Sequence, residues 1–502
     1  MHMSKRGFST LEIMIAFAIL AIVLSGVILA DFGAQYWTIT SQTSNEALYK
    51  AKIGLENLRA ASKRDFLSAT STAYAPSDGS CAPNSLCYWL QTNVTDISAC
   101  SKYASSTISW QVSGYPTTTT TLFTTFSDTQ GVILRGGDCG LNWPSGDWTN
   151  PQSVGSTNLT GIPSSIDALN GATYVGETSA PYLEAVKDGS VYGCPASICS
   201  DPLNAIDVAR NLNPNQPFTY AYAAASSTTD QLQIYDVSDP TNIFRAAALT
   251  LMPSGSYPQG WKLTFYDRSI YILTKETSGP ELHIVDVRTP TSPAELGSGT
   301  ELGFTATDII VRDQYSGGVK KRFAYLTAML DHREIQVFDV TDPLNVTFVA
   351  KADLDPQNVC TGTLPDARTL TLSGTVLYVG TDYRTTSPCS QLPELYAFDV
   401  TDPAQGIPQI GSMEVGADVL SLRVSGPYLF LPANHSGIYE LQVRNSDPSN
   451  LALLNSIPVS AKNIGDGIDF DNDVTHASDS DTGYLYLLNG SKVQTFSSTP
   501  TL

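Results

Sequence analysis

The chain opens with a long apolar block and then takes on the spacing of an amphipathic helix. Residues 13–30 are apolar apart from one serine and one glycine, and a helix of that length nearly spans a bilayer. Beyond this block Leu48, Leu55 and Leu58 recur at helical spacing, with charged residues between them. The pattern predicts one continuous helix over residues 8–65.

The next segment, residues 66–147, is rich in serine, threonine, glycine and proline. Short alternating or aromatic runs at 88–90, 108–112 and 122–126 have the pattern of strands. We expect a small antiparallel sheet in this segment.

Residues 148–498 carry an internal repeat of about 50 residues, which is the period of a four-stranded propeller blade. The clearest marker is Asp-Val followed by two residues and a proline. The first aspartates of the clear copies are Asp236, Asp286, Asp339 and Asp399. Because they recur at one position, we expect them to form the same turn each time rather than a ring of catalytic acids.

Weaker copies extend the repeat at both ends. The last copy lacks a fourth strand, whereas residues 150–156, ahead of the first copy, have the pattern of one. Pairing these two parts would close the ring and remove exposed strand edges. The repeats predict seven blades, with six as the alternative, and leave residues 499–502 as a tail. The predicted fold is mainly β, with one long N-terminal α-helix, a small sheet and a propeller.

The residues before the apolar block have the pattern of a processing signal. Two basic residues precede the run Gly7-Phe8-Ser-Thr-Leu-Glu12. This arrangement resembles the prepilin-type methylation signal of type IV pilins and pseudopilins, over about the first 30 residues. The resemblance implies that residues 1–7 are a leader peptide, and that prepilin peptidase cuts between Gly7 and Phe8 and methylates the new Phe8 amine. It also implies that Glu12 faces the N-terminal amine of a neighbouring subunit.

The same resemblance assigns roles to the segments that follow. Residues 8–30 would cross the membrane before assembly and form the filament core afterwards, and residues 66–147 would be the β-rich globular region of a pilin. A carboxylate such as Glu12 near the start of a membrane helix is costly unless paired, which points to function on physical grounds alone. The basic residues ahead of the block keep the N-terminus inside the cell.

The repeat also has a known counterpart. Its Asp-Val frame resembles that of LVIVD-repeat propellers of secreted and surface proteins, over about 300 residues. This resemblance implies an architecture and no particular activity.

Composition excludes one class of partner. The net charge is −20, from 48 acidic and 28 basic residues, and we find no basic stripe. Binding to nucleic acid through its phosphates needs such a stripe, so no nucleic acid is expected as a partner.

All eight cysteines lie beyond the apolar block, which indicates disulfides in an oxidising compartment, with free thiols as the alternative. Sequence proximity favours Cys194 with Cys199 and Cys360 with Cys389, without fixing the pairing. The other four cysteines are Cys81, Cys87, Cys100 and Cys139.

Few residues suit catalysis or metal binding. The five histidines are scattered, and no hydrolase elbow, phosphate loop or dinucleotide motif occurs. Asp469, Asp471 and Asp473 alternate as at the start of a calcium loop, although Val474 and Ser480 stand where an EF-hand has glycine and glutamate. Calcium is therefore a hypothesis, with a solvated acidic loop as the alternative, and no cofactor is required.

Together these features predict a non-enzymatic subunit of a type IV pilus-like filament that displays its propeller for adhesion or recognition. The subunit would be minor, tip-located or decorating. Its partners would be other pilin subunits, prepilin peptidase, the pilus assembly machinery and an unidentified extracellular ligand. The chain would begin as a single-pass precursor in the cytoplasmic membrane and end in an extracellular pilus or on the cell surface. The alternatives are a pseudopilin of a type II secretion-like or DNA-uptake system, and a membrane-tethered propeller hydrolase.

Overall fold

The structure is a computed structural model. The chain divides into two compact units, Met1–Thr95 with Tyr103–Phe126, and Asp96–Lys102 with Ser127–Leu502. The residues that the structure describes are 10–64, 66, 69–77, 86–98, 101–111, 116–128, 147–169, 171–213, 216–251, 259–275, 279–357, 359–360, 366–385, 387–459, 467–470 and 484–499.

The first unit contains one long helix and a four-stranded sheet. Helix α1 is Thr10–Arg64, so the prediction of one long N-terminal helix is confirmed. The strands follow chain order across the sheet. They are β1 (Thr72–Pro76), β2 (Tyr88–Ser98), β3 (Ser101–Trp110) and β4 (Thr118–Ser127).

The second half of α1 is buried within this unit. Ala51, Leu55 and Leu58 are almost inaccessible to solvent and belong to clusters that include side chains of the sheet. At Gly54 the sheet comes so close that a Cβ atom would lie 2.5 Å from Ser106 Oγ. Glycine costs helix stability, but here its missing side chain allows the close approach of helix and sheet.

The first half of α1 has the opposite character. Its described apolar side chains are exposed, with Met14 71%, Phe17 68%, Leu20 58% and Leu29 72% accessible. Among the described residues, no helix is long and apolar enough to cross a membrane. The side chains of residues 10–13 and 16, in the segment predicted to do so, lie outside the described set.

The second unit is a β-propeller. Among the described residues, seven sheets follow one another along the chain, which agrees with the larger of the two predicted blade numbers. The sixth sheet has five strands, and each of the others has four.

The strand bounds of the first four sheets are as follows. The first sheet is β6 (Pro163–Leu169), β7 (Ala172–Glu177), β8 (Leu183–Lys187) and β9 (Ser190–Gly193). The second is β10 (Leu203–Asn213), β11 (Gln216–Ala225), β12 (Leu232–Asp236) and β13 (Phe244–Leu249). The third is β14 (Gly260–Tyr266), β15 (Ser269–Thr274), β16 (Leu282–Asp286) and β17 (Ala294–Glu295). The fourth is β18 (Ala306–Ser316), β19 (Val319–Ala328), β20 (Ile335–Asp339) and β21 (Thr347–Ala352).

Three further sheets complete the ring. The fifth is β22 (Ala367–Ser373), β23 (Val376–Thr381), β24 (Leu395–Asp399) and β25 (Gln409–Met413). The sixth is β26 (Asp418–Val419), β27 (Arg423–Ser425), β28 (Tyr428–His435), β29 (Ile438–Asn445) and β30 (Leu453–Val459). The seventh is β31 (Ile468–Phe470), β32 (Tyr484–Leu488), β33 (Lys492–Thr499) and β5 (Asp147–Asn158), and short 3-10 helices lie at Cys389–Gln391 and Pro403–Gln405.

The hydrophobic core lies between the sheets. Seven clusters of buried side chains each draw on two neighbouring sheets, and one of them joins the seventh sheet to the first. Strands such as β7 and β12 are buried along their whole length, because a neighbouring sheet covers each of their faces. This arrangement explains the continuous apolar runs of the repeat.

The ring is closed by the strand that precedes the first sheet. Strand β5 pairs antiparallel with β33, and Phe496 lies opposite Ser153. The outer strand predicted at residues 150–156 is thus confirmed. Trp148 at the start of β5 is fully buried and meets the ring of Phe430 edge-on at 5.7 Å, which fixes β5 to the sixth sheet as well.

The antiparallel order gives the propeller two distinct ends. The repeat aspartates stand where the third strand of a sheet turns into the fourth, and we call this the turn end. The connections from second to third strand, and from one sheet to the next, lie at the other end, which we call the anchor end.

Candidate functional site

Aspartates on the first strands of four sheets bond each of these sheets to the next one in the ring. Each carboxylate accepts a hydrogen bond from a backbone N–H of the neighbouring first strand, and the last such bond joins the seventh sheet to the first. The bonds run from Val208 to Asp167, from Phe265 to Asp207 (2.8 Å), from Leu370 to Asp308 (3.0 Å) and from Ala168 to Asp469 (2.8 Å).

Cationic side chains lie near these aspartates. Arg423 Nε donates to Asp469 Oδ1 at 3.0 Å. Burial lowers the pKa of Lys262, with Asp308 acting in the opposite direction and Arg423 lowering it further. The centre of the propeller therefore holds charges of both signs close together.

A second recurrent contact fixes the connections at the anchor end. In sheets two to five a buried Gln or Glu directly precedes the third strand, and its side chain accepts a backbone N–H of the connection to the next sheet. We call these residues the anchors. The bonds run from Leu251 to Gln231 (2.9 Å), from Leu302 to Glu281 (2.6 Å), from Leu354 to Glu334 (3.2 Å) and from Val415 to Glu394 (2.7 Å).

The anchor carboxyls are almost inaccessible to solvent. Burial raises the pKa of Glu281, Glu334 and Glu394, while the backbone donors favour the ionised form and lower it in part. Their role is structural, since each satisfies N–H groups that would otherwise be buried without a partner.

The seam between the seventh and first sheets departs from this rule. Main-chain pairing places Lys492 at the anchor position of the seventh sheet, because its carbonyl accepts the Asn489 N–H as the carbonyls of Glu281 and Glu394 accept N–H groups in their own sheets. Lys492 is the first residue of β33. Leu159 instead donates its N–H to the carbonyl of Ser491 at 2.8 Å. The next two residues are held from the first sheet: the Thr160 N–H donates to Glu184 at 2.9 Å.

The Gly161 N–H likewise donates to Glu177 Oε1 at 3.1 Å. Glu177 and Glu184 are both almost fully buried, and the other oxygen of Glu177 has no hydrogen-bond partner among the described residues. Burial, followed by repulsion from Glu184, raises the pKa of Glu177 to about 9. The Glu177 carboxyl is therefore protonated at neutral pH.

An open pocket of about 490 Å³ lies at this seam, at the anchor end. It has the size of a small-molecule site. Among the described residues that line it, Lys492 is the only charged one, and most of the others carry hydroxyl or amide groups. The lining includes Ser153, Ser156, Gly161, Asn489, Lys492 and Gln494.

A hydrogen-bonded network of side chains runs along one wall of the pocket. Asn489 Nδ2 donates to Gln494 Oε1 at 2.7 Å, and Gln494 Nε2 donates to Ser153 Oγ at 3.0 Å. Asn489 Oδ1 is inaccessible to solvent and has no hydrogen-bond partner in the part of the chain that is described. The wall therefore presents amide and hydroxyl groups in fixed positions, and we regard the pocket as the candidate binding site.

The repeat aspartates occupy the turn end, as predicted. Each accepts, through Oδ1, the backbone N–H of the residue two positions ahead, which is an Asx turn. The expectation of one repeated turn is confirmed. The four donors are Ser238, Arg288, Thr341 and Thr401, at 3.0, 2.9, 3.0 and 2.8 Å.

Both disulfides favoured by proximity are present, Cys194–Cys199 and Cys360–Cys389. Cys87 is also disulfide-bonded. Cys81, Cys100 and Cys139 lie outside the described residues.

The structure brings only one of the predicted calcium ligands into view. Asp469 bonds with Ala168 and Arg423, as described above, whereas Asp471 and Asp473 lie outside the described residues. Across the described ranges, no group of three or more His, Cys, Asp or Glu side chains could hold a metal ion. Calcium binding stays a prediction.

The predicted processing site is only partly covered. Gly7 and Phe8 lie outside the described residues, and Glu12 is described only as part of the backbone of α1. Their roles stay predictions.

The anchors and the seam carboxyls were missed by reasoning from sequence. The anchors had a signal, because Gln231, Glu281, Glu334 and Glu394 each stand five residues before the repeat aspartate. Glu177 had no such sequence signal, since the first sheet lacks the repeat motif.

Comparison with known proteins adds little. No protein-family model and no curated protein matches the chain. Among solved structures, a candidate 6-phosphogluconolactonase from Bacteroides uniformis shares 14% identity over 59% of this chain and 85% of its own, with a TM-score of 0.43. A protein from Lactobacillus plantarum shares 16% identity over 59% of this chain and 84% of its own, also with a TM-score of 0.43. The Dos1 propeller shares 12% identity over 71% of this chain and 97% of its own, with a TM-score of 0.38.

These similarities are too weak to carry an argument, at 16% identity or less and TM-scores below 0.5. The propeller architecture follows from the sheet order and ring closure described above. The resemblance to pilins finds no support in these comparisons and stays a prediction from the first residues of the chain.

Proposed function

We propose that the chain is a subunit of a type IV pilus-like filament, with α1 in the filament core and the propeller displayed outside the cell for adhesion or recognition. The carrying observation is the contrast between the two halves of α1. Ala51, Leu55 and Leu58 pack within their own unit, whereas Met14 and Phe17 are 71% and 68% exposed.

Such a contrast needs a second apolar environment. A run of exposed large apolar side chains over several helical turns is unfavourable in water, at roughly 25 cal/mol per Å² of apolar surface. Lipid before assembly and neighbouring helices after it would both cover this surface, which supports a precursor in the cytoplasmic membrane that later enters a polymer. The exposed apolar run alone does not distinguish a pilin from a pseudopilin.

The processing signal supports the filament over a permanent membrane anchor. Cleavage after Gly7 would free the amine of Phe8 beside the carboxylate of Glu12, and that carboxylate would pair with the amine of a neighbouring subunit. Prepilin peptidase and the assembly machinery are then required partners. The propeller, with its seam pocket, is the part available for an extracellular ligand.

The test is made in the cells that produce the chain. Mature protein is expected to begin at a methylated Phe8 and to appear in sheared filaments. The Glu12→Ala variant should be cleaved but reach the sheared fraction at least ~10-fold less, because it lacks the carboxylate that pairs with the neighbouring amine. Glu56→Ala, which removes an exposed carboxylate from the outer half of α1, should assemble normally.

Mass spectrometry of the N-terminus and immunoblotting of sheared material give the two readouts. Mature protein that still begins at Met1, or equal assembly of the Glu12→Ala variant and the unaltered chain, would contradict the proposal. Abundance in the sheared fraction also separates a main subunit from a minor one.

A further inference from the structure

Lys492 differs from the residue at the same position in sheets two to six. In sheets two to five this position is a buried Gln or Glu that holds the connection to the next sheet, and in the sixth it is Glu440, which bonds with Ser456. Lys492 is exposed instead. The anchor position thus carries a positive charge in the seventh sheet, whereas it is neutral or acidic in sheets two to six.

The seam does not need an anchor from β33. Its connection is held by the Ser491 carbonyl and by the carboxyls of Glu184 and Glu177, as described above. In the part of the chain that the structure describes, no hydrogen bond or ion pair engages the Lys492 ammonium. No structural contact of the ammonium within the described part of the chain therefore explains why a lysine occupies this position.

We propose that the seam pocket binds a sugar that carries a carboxylate, such as a hexuronic or sialic acid residue of a glycan. Lys492 would bind the carboxylate, and the network of Asn489, Gln494 and Ser153 would bind the hydroxyl groups. This inference names the ligand class of the recognition surface, so it rests on the proposed function.

The lining favours a hydroxyl-rich ligand over an apolar one. Side-chain amides and hydroxyls both donate and accept hydrogen bonds, which matches the groups that surround a sugar ring. Because Gln494 and Asn489 already hold each other in place, little side-chain freedom is lost on binding. A volume of about 490 Å³ accommodates one or two sugar rings.

Charge favours a carboxylate over a phosphate or a polyanion. Phosphate sites usually provide an Arg fork or several converging backbone N–H groups, and the Gly161 N–H is already bonded to Glu177. The net charge of −20 repels nucleic acid and other polyanions. One ammonium among neutral polar groups suits a single carboxylate.

A single such site binds weakly, since no aromatic side chain among its described lining residues offers a stacking surface. We expect a dissociation constant of about 1 mM, or about −4 kcal/mol. Many subunits in one filament would raise the effective affinity by display of many sites.

The experiment measures binding to the purified full chain by saturation-transfer NMR, with galacturonic acid, N-acetylneuraminic acid and neutral galactose as probes. At least one acid should bind at least tenfold more tightly than galactose. Lys492→Gln should weaken acid binding at least tenfold, and Ser156→Tyr, which fills the pocket, should also do so. Lys351→Gln, which alters an exposed lysine on β21, is the matched control and should bind as the unaltered chain does.

Three outcomes would overturn the inference: neither acid binds, galactose binds as tightly as the acids, or Lys492→Gln and Lys351→Gln behave alike. Circular dichroism of each variant confirms that the fold is retained. Filament assembly is scored separately through the Glu12 variant. Chains that assemble but bind no acidic sugar would refute this inference and leave the proposed function standing.

Discussion

Replacing Glu177 by glutamine should remove a pH-dependent loss of stability from the propeller. In the folded chain the pKa of Glu177 is raised from its ordinary 4.5 to about 9, chiefly by burial and then by Glu184. The folded state therefore holds one proton more than the unfolded state between these two values. The stability that this proton provides is complete below pH 4.5 and is lost as the pH rises through that window.

The magnitude follows from linkage. One extra bound proton changes the free energy of unfolding by about 1.4 kcal/mol per pH unit. Between about pH 6 and pH 8 the unaltered chain should therefore lose about 2–3 kcal/mol through this group. A glutamine amide at this position stays neutral at every pH and can donate a hydrogen bond to the Glu184 carboxylate, so the Glu177→Gln variant should be the more stable of the two at about pH 8.

The assay is urea unfolding of the full chain, followed by tryptophan fluorescence at several pH values from about 5 to 8.5. The other raised glutamates are present in both proteins, so the difference between the two curves reports Glu177 together with its interaction with Glu184. Asp188→Asn, which removes one exposed carboxylate of the propeller, is the control and should keep the slope of the unaltered chain. If the free energy of unfolding changes with pH equally in Glu177→Gln and the unaltered chain, Glu177 does not hold a proton in the folded state.

Further predictions concern the ring and its cross-links. Trp148→Ala should destabilise the propeller by about 3–5 kcal/mol, since Trp148 is buried against Phe430; an unchanged urea midpoint would show that β5 does not depend on it. Serine at both Cys360 and Cys389, which are 29 residues apart, should cost about 3–4 kcal/mol by the same assay. Asp308→Ala should cost about 1–3 kcal/mol, and a smaller effect than that of an exposed aspartate would contradict its inter-sheet bond. If the acidic loop with Asp469, Asp471 and Asp473 binds calcium, then calcium, unlike magnesium, should raise the melting temperature. Identical melting curves in calcium and EDTA would contradict calcium binding.

The sequence was sufficient to predict the ring because the repeat is a local signal. Each copy places a turn at Asp236, Asp286, Asp339 or Asp399, and the strands on either side follow from alternation and length. The outer strand at 150–156 could be inferred by counting, since the last copy lacked one. Closure of the propeller ring could thus be predicted from local patterns and from the absence of a fourth strand in the last copy.

Contacts across the ring were not readable in the same way. The bond from Ala168 to Asp469 joins residues about 300 positions apart, and no local pattern reports such a pairing. Glu177 and Glu184 look like ordinary strand residues, because only the packed seam removes them from water. The pocket likewise exists only where the first and seventh sheets meet.

Closure by β5 also sets an order of events for biosynthesis. Thr499 pairs with Asp147, so the first strand of the propeller lacks its partner until residues 492–499 have been synthesised. Until then β5 has no partner strand, and unpaired strand edges are the surfaces through which incomplete chains associate. We therefore expect a nascent chain to need a chaperone or a confined export route, and one cut short before residue 492 to aggregate however sound its first six sheets are.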